Sequence, residues 1–265
     1  MEPRDAATVI LVRDGSDGLE VLLLRRRDDS GFVPGAYVFP GGAVDPHDAE
    51  PIFADHCAGL DDATASRRVG VQSGGLAFWV AGIRETFEEA GLLLAYDANG
   101  DLVSLVDGGR PAILDRHRRA VDDGTTLLAD LCASEDLTLA TDRLRYFGRW
   151  ITPHGAPRRY DTYFFVAVVP EAQEAAADNR ETVEHRWITP RAALAAHADG
   201  GFELILPTYR SLTLLDRFDG VESLLEAVDR AQGNGSGPHL VDDHGGWRLA
   251  LDDHELTGAV GGGRA

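Results

Sequence analysis

The sequence predicts an α/β protein of 265 residues, in which strand-like aliphatic runs are combined with helical segments. The first observation is "ATVILVRDGSDGLEVLLLRRR", where two aliphatic runs flank a cluster of turn-forming residues, as in a β-hairpin. The second is a helix expected from Leu76 to about Ala90, directly after the helix-breaking "QSGG". The third is the return of strands after this helix. From the first observation, we place the two strands of the hairpin at 6–13 and 19–26.

The segment between the hairpin and this helix has little regular structure. "DSGFVPGAYVFPGGAVDPHDAE" contains more Gly and Pro than a helix interior accepts, so we expect a loop with one short strand, "AYVF". Residues 49–75 are less regular still. We expect a short helix there, near 52–68.

The remaining elements follow the same rules. "LLLAYDANGDLVSLV" predicts a second hairpin that turns at "DANGD", and residues 110–144 contain two helical pieces. "LRYFGRWIT", "TYFFVAVV" and "TVEHRWIT" read as strands. A helix should begin with Thr189 as its N-cap and Pro190 as its first residue, and it should end at Gly200.

The C-terminal part should contain two more helices and a tail. "LPTYRSLTLLDRF" and "VESLLEAVDRA" have helical character. The residues that follow are mostly glycine and polar residues, apart from "GWRLALDD". We therefore predict one domain at 1–231 and a loosely packed or linker-like tail at 232–265.

Composition excludes several classes of function. The 25 basic and 44 acidic residues give a formal charge of -19, which argues against nucleic acid or an anionic membrane as the main partner. No apolar run approaches the ~18 residues of a membrane helix, so we expect a cytoplasmic protein. All basic residues are Arg. The lack of Lys excludes a Walker-A loop, a Schiff-base lysine and a Ser-Lys pair.

Three glutamates are crowded within the central helix. Glu85, Glu88 and Glu89 are spaced so that they share one helical face, where like charges repel unless a cation joins them. Taken alone, such a cluster is also typical of a solvated helix face. Clustered carboxylates are, however, the ligands that Mg²⁺ and Mn²⁺ prefer. The cluster alone does not decide between these two interpretations, and the motif that surrounds it, described next, makes a site for Mg²⁺ or Mn²⁺ our prediction.

The order of "PGGAVDPHD" and "RETFEEAGL" resembles the Nudix box, G-x5-E-x7-R-E-U-x-E-E-x-G-U, in which U is a bulky aliphatic residue. The second half agrees from Arg84 to Leu92, except that Thr86 replaces an aliphatic residue. The first half departs from the pattern. Asp48 replaces its Glu, and Arg84 lies 28 residues beyond the expected position. An insertion at about 49–75 therefore splits the box, as in the Nudix branch that includes peroxisomal coenzyme A diphosphatases.

This resemblance implies a fold and a chemistry. The fold would be an α/β/α sandwich with a mixed sheet, an insertion in the Nudix box and extra C-terminal helices. The reaction would be metal-dependent hydrolysis of a diphosphate linkage in a nucleoside diphosphate derivative. Glu88 and Glu89 would be the principal metal ligands, with the Gly42 carbonyl as a further ligand. Glu85 would be a third ligand or the base, and Arg84 would orient a carboxylate.

The substrate and several residue roles stay open. The branch resemblance points to coenzyme A or acyl-coenzyme A, with ADP-ribose and dinucleotides as rivals, and a non-catalytic nucleotide-sensing module is the alternative class. Arg158 and Arg159 could clamp a phosphate or pair with surface acids. Glu181 or Glu184 could supply an extra carboxylate. The insertion could be a lid, a contact in a homodimer or a neutral surface excursion.

Overall fold

The computed structural model describes residues 2–30, 33–104, 110–152, 154–156, 158–233, 239–242 and 247–250. Its strands are Arg4–Gly15 (β1), Gly18–Arg26 (β2), Tyr37–Val38 (β3), Gly41–Ala43 (β4), Ala95–Tyr96 (β5), Thr138–Leu139 (β6), Arg145–Ile151 (β7), Tyr160–Val168 (β8), Thr182–Ile188 (β9), His239–Asp242 (β10) and Trp247–Ala250 (β11). Its helices are Asp62–Val69 (α1), Leu76–Ala90 (α2), Arg110–Asp122 (α3), Leu128–Glu135 (α4), Pro190–Ala198 (α5), Leu206–Leu215 (α6) and Val221–Gly233 (α7).

Within the described residues, nine strands form one mixed sheet. Its main order is β11-β10-β7-β8-β1-β2-β3, with β4 paired to β1 and β9 paired to β2. β1 runs parallel to β8 and antiparallel to β2. The sheet is therefore mixed, as the Nudix resemblance implied.

The two faces of the sheet carry two separate hydrophobic cores. Along β1, Val9 and Leu11 belong to the core shared with α2, whereas Ile10 and Val12 belong to the core shared with α5, α6 and α7. This alternation is what a strand covered on both faces requires. Helices on both faces give an α/β/α sandwich, so the expected fold class is confirmed.

The candidate site lies where the pairing of β1 with β2 ends and the two strands separate. The two strands pair with each other only at 12–15 and 18–21. Beyond this point β4 pairs with β1 at 6–8, and β3 pairs with β2 through Leu24 and Arg25. The segment that contains the "PGG" motif is thus wedged into the sheet, directly beside α2.

One local expectation was wrong. In place of a continuous helix near 52–68, the structure has a 3-10 turn at Pro51–Ala54, and α1 begins only at Asp62. The reason is that Asp61 caps α1, its carboxylate accepting from Thr64 N at 2.6 Å. The second hairpin is present in a short form that turns at 97–101: Tyr96 bridges Leu102 in antiparallel fashion, and Val103 N donates to Ala95 O at 2.9 Å. Its first strand, β5, also pairs with β6.

The C-terminal segment contains strands that the sequence analysis did not predict. Within the segment expected to be linker-like, β10 pairs with β11 and runs parallel to β7. Residues 251–265 of the expected tail lie outside the described part of the chain. None of the described helices is long and apolar enough to cross a membrane.

The insertion is tied to the start of α2. The Asp62 carboxylate accepts hydrogen bonds from Gly74 N and Leu76 N, both at 3.0 Å. The Ser66 hydroxyl accepts one from Gly75 N at 2.9 Å. Since α2 has no N-cap side chain of its own, α1 supplies an acceptor for the first N–H of α2, that of Leu76, and for the two glycine N–H groups before it.

Candidate active site

The glutamates of α2 lie against the glycines of β4. Gly41 N–H donates to Glu89 Oε2 at 2.9 Å. A Cβ atom on Gly42 would lie 2.6 Å from the carboxylate of Glu85. Glycine at position 42 therefore leaves the space that this carboxylate occupies.

Arg84 organises the other carboxylates. Its Nε and Nη2 donate to the two oxygens of Asp48 at 2.9 and 3.0 Å. Its Nη1 donates to Glu85 at 2.8 Å and to Glu88 at 3.1 Å, and Nη2 also reaches the Ala43 carbonyl at 2.9 Å. The expectation that Arg84 orients a carboxylate thus has a direct structural counterpart.

Asp48 is part of this buried network. Its side chain is 2% exposed, and it also accepts a hydrogen bond from Asp45 N at 2.8 Å. The insertion lengthens the chain between Asp48 and Arg84, but the fold returns the two side chains to a bidentate contact. Asp48, which stands where the Nudix pattern has Glu, can therefore still form a bidentate pair with Arg84 despite its shorter side chain.

Burial changes the acidity of all three glutamates. Loss of solvation raises the pKa of Glu88 to about 7, although the Arg84 charge opposes the change. Burial also raises the pKa of Glu85, and it raises that of Glu89 well above its usual range with the help of the Glu85 charge. Burial alone lowers the pKa of Arg84, but the Asp48 hydrogen bonds and the glutamate charges raise it overall. The cluster holds excess negative charge that a cation would stabilise.

A cavity of about 570 Å³ opens beside these residues. Glu85 and Glu89 line it, together with the glycines of β4, whereas Glu88 is not among its described lining residues. The rest of the wall comes from β1, the ends of β2 and β3, β7, β8, the start of α6 and loop residues such as Arg158 and Glu181. It includes the aromatic residues Trp150, Tyr160 and Phe164 and the hydroxyl-bearing residues Thr8, Thr152, Thr162 and Thr208.

The four candidate substrate residues have different surroundings. Arg158 is exposed and lines the cavity, whereas Arg159 is buried and its Nε donates to the Thr152 carbonyl at 3.0 Å. Glu181 lines the cavity and lies 3.6 Å from Arg26. Glu184 pairs with Arg186 at 2.6 Å and accepts from the Tyr37 hydroxyl. Arg158 and Glu181 thus line the same cavity as Glu85 and Glu89, whereas Arg159 and Glu184 are held in other contacts.

Sequence reasoning missed several residues of the cavity wall. Arg26 lines the cavity from the end of β2, and Trp150 and Phe164 contribute apolar surface from β7 and β8. Their signal in the sequence is only the alternation of a strand, which core residues share. Arg26 lies in the run "LLLRRR", where its neighbours Arg25 and Arg27 pair with local aspartates instead.

The donor set fits a hard divalent cation. Carboxylate oxygens and a nearby backbone carbonyl are the donor types that such ions use, and Gly42 leaves room for close approach. Among the described residues, no three His, Cys, Asp or Glu side chains already converge on one point. The reason is visible in the contacts, because Arg84 pairs with both Glu85 and Glu88.

Comparisons with known proteins identify relatives of this chain. The acyl-coenzyme A diphosphatase NUDT19 of Xenopus laevis is 27% identical over 80% of the chain and 63% of its own length. The human protein of that name is 30% identical over 79% of the chain and 64% of its own length. The chain therefore spans less than two thirds of these relatives.

A solved structure and a family profile also match the chain. The Nudix hydrolase from Alicyclobacillus acidocaldarius superposes with a TM-score of 0.71 at 28% identity, and the match covers 85% of this chain and 96% of that protein. The profile of the NUDT19 Nudix domain matches residues 58–213, which is more than half of the chain. The chain belongs to the NUDT19 Nudix domain family.

Proposed function

We propose that this protein is a Mg²⁺- or Mn²⁺-dependent hydrolase that cleaves the diphosphate linkage of coenzyme A or acyl-coenzyme A. The observation that carries the proposal is the pair of carboxylates at the wall of a cavity that also contains arginines, the half-buried Glu85 and the buried Glu89. Family membership and the names of the NUDT19 relatives support the substrate class.

The α2 residues would divide the work. Glu88, Glu89 and the Gly42 carbonyl would hold the cation, with Glu85 as a third ligand or as the base that takes a proton from the attacking water. A bound divalent ion supplies charge neutralisation and Lewis-acid activation of the diphosphate. Arg84 is a positioning residue, because it holds Glu85 and Glu88 in fixed orientations by hydrogen bonds.

The cavity wall would bind the rest of the substrate. Arg26 and Arg158 are cavity-lining cations suited to phosphate oxygens. Trp150 and Phe164 offer apolar surface next to them, which suits a nucleobase or the pantetheine arm. The net charge of -19 makes such local cations necessary for an anionic substrate.

A hydrolysis screen tests the proposal. The protein is incubated with Mg²⁺ or Mn²⁺ and with coenzyme A, acetyl-coenzyme A, ADP-ribose, reduced nicotinamide dinucleotide and a dinucleoside polyphosphate. Products are identified by mass, and Glu89→Gln serves as the matched inactive control. We expect 3',5'-adenosine diphosphate and a phosphopantetheine from the coenzyme A substrates. Preferred cleavage of another substrate would refute the substrate class, and binding without cleavage would refute the enzymatic function.

A further inference from the structure

The start of α6 is an unsatisfied helix N-terminus at the wall of the cavity. Residues Ile205 to Thr208 all line the cavity. Ile205 occupies the N-cap position and makes no side-chain cap, and the first turn contains no acidic residue. The positive end of the helix dipole and its free N–H groups therefore lack the negative partner that usually compensates them.

The backbone hydrogen bonds identify which donors are free. Tyr209 N donates to Ile205 O at 2.9 Å, which begins the helical pattern. Pro207 has no N–H. Within the described part of the chain, Leu206 N and Thr208 N donate to no protein acceptor. Two backbone donors are thus available at this wall.

The side chain of Thr208 is the second, independent observation. It is 2% exposed and lines the cavity, yet its hydroxyl makes no hydrogen bond to any described residue. The hydroxyl is not one of the fully enclosed unpaired atoms, so the accessible surface that it retains opens into the cavity. A buried hydroxyl without a partner costs free energy unless a ligand completes its hydrogen bonding.

A neighbouring cation fits the same ligand. Arg158 lines the cavity and, among the described residues, has no ion-pair partner. The α6 start itself is held in place, because Tyr37 N donates to Glu203 O at 2.8 Å and Tyr37 forms a bridge with Leu204. The donors are therefore anchored to the strand that precedes the β4 glycines.

We infer that the α6 N-terminus, the Thr208 hydroxyl and Arg158 form a second phosphate subsite, which binds a phosphomonoester group of the substrate. This inference rests on the proposed function, because in coenzyme A that group is the phosphate on the ribose. The diphosphate lies with the α2 glutamates and their cation. The two subsites would let the enzyme distinguish substrates that carry an extra phosphate from those that lack it.

Binding measurements without metal test the subsite separately from catalysis. Calorimetric titrations in EDTA use adenosine 3',5'-bisphosphate and, as the matched ligand without the second phosphate, AMP. We expect wild type to bind the bisphosphate at least about tenfold more tightly than AMP. Thr208→Val, which keeps the shape, should weaken the bisphosphate about tenfold and AMP less than twofold, and Thr208→Ser should restore binding.

A second pair of variants addresses the backbone. Leu206→Pro removes one N–H at the first helical position, where proline is tolerated, and Leu206→Ala keeps the N–H. We expect only the proline variant to weaken the bisphosphate. Thr213→Val, on the exposed side of the same helix, should change neither affinity.

The outcomes separate the two proposals. Equal affinity of wild type for both ligands, or equal losses for both in Thr208→Val, would overturn the subsite. If wild type fails to cleave any diphosphate but shows the expected bisphosphate selectivity, the proposed function fails and the subsite remains. If wild type cleaves coenzyme A, and Thr208→Val prefers coenzyme A over dephospho-coenzyme A as strongly as wild type does, the subsite alone fails.

Discussion

The close contact between Gly42 and Glu85 can be tested by adding one methyl group. In Gly42→Ala the new Cβ would lie 2.6 Å from Cδ and both oxygens of Glu85. Ordinary contacts between such atoms are ~3.5–4.0 Å, so the carboxylate must shift by about 1 Å. Because Gly42 does not occupy the left-handed region, the backbone itself accepts alanine.

The expected effect is on turnover more than on stability. A displacement of about 1 Å in a catalytic group can cost ~10²-fold in rate, so we expect kcat to fall by about 10- to 100-fold. The Tm should change by less than about 4 °C, which corresponds to about 1 kcal/mol in a chain of this size. Initial rates of coenzyme A hydrolysis and a thermal melt measure the two quantities.

Two other glycines provide matched controls. A Cβ on Gly15 would lie 2.4 Å from Cδ of Glu20, a similar clash with a glutamate that pairs with Arg13 away from the cavity. Gly15→Ala should therefore leave kcat unchanged. A Cβ on Gly41 would meet the Ala7 carbonyl at 2.4 Å, so Gly41→Ala should lower the Tm strongly. If Gly42→Ala keeps kcat within about twofold of wild type, the role of Glu85 in the reaction is refuted.

Five further substitutions test individual contacts. Glu89→Gln should lower kcat by at least ~100-fold with an unchanged fold by circular dichroism, because the amide loses the charge that holds the cation; near-normal turnover would contradict the metal site. Asp48→Asn breaks the buried pair with Arg84, so it should lower the free energy of unfolding by about 3 kcal/mol in denaturant titrations. It should lower kcat by less than Glu89→Gln does. An equal loss of kcat would contradict the ranking of Glu89 above Asp48 in the reaction. Thr86→Val should raise the free energy of unfolding by about 1 kcal/mol, because the Thr86 hydroxyl is buried without a described partner; a lower value would indicate a hidden partner. Arg158→Ala should raise KM for coenzyme A about tenfold and leave KM for dephospho-coenzyme A unchanged. Arg159→Ala should instead lower the Tm, because Arg159 donates to a backbone carbonyl. The opposite pattern would show that Arg159 contacts the substrate and that Arg158 supports the fold.

The elements that sequence predicted well depend on local signals. The first hairpin and α2 were placed within a few residues, because turn residues and helix breakers define their ends. The helix expected near 52–68 was misplaced because two local start signals lie in this segment. Pro51 begins only a 3-10 turn, whereas the Asp61 cap begins α1.

The candidate site could be predicted only in part. The glutamates follow from a local motif, but the contact between Asp48 and Arg84 joins residues from two distant segments. No periodicity predicts such a contact. The cavity wall could not be predicted from the sequence either, since Trp150 and Thr208 are buried residues of a strand and a helix, and their sequence pattern is that of core residues.

The position of the insertion explains how a split Nudix box can still build a site. α2 carries the glutamates, yet the N–H of its first residue and those of the two glycines before it donate to Asp62 and Ser66 of the inserted α1. At the other end, Arg118 donates to the Glu88 carbonyl at 2.9 Å, so the last turn is held from outside as well. A negative side chain at the helix start also favours the helix dipole. The inserted residues therefore hold the start of the helix that carries the glutamates, and this contribution is independent of the open alternatives of a lid, a homodimer contact or a neutral excursion.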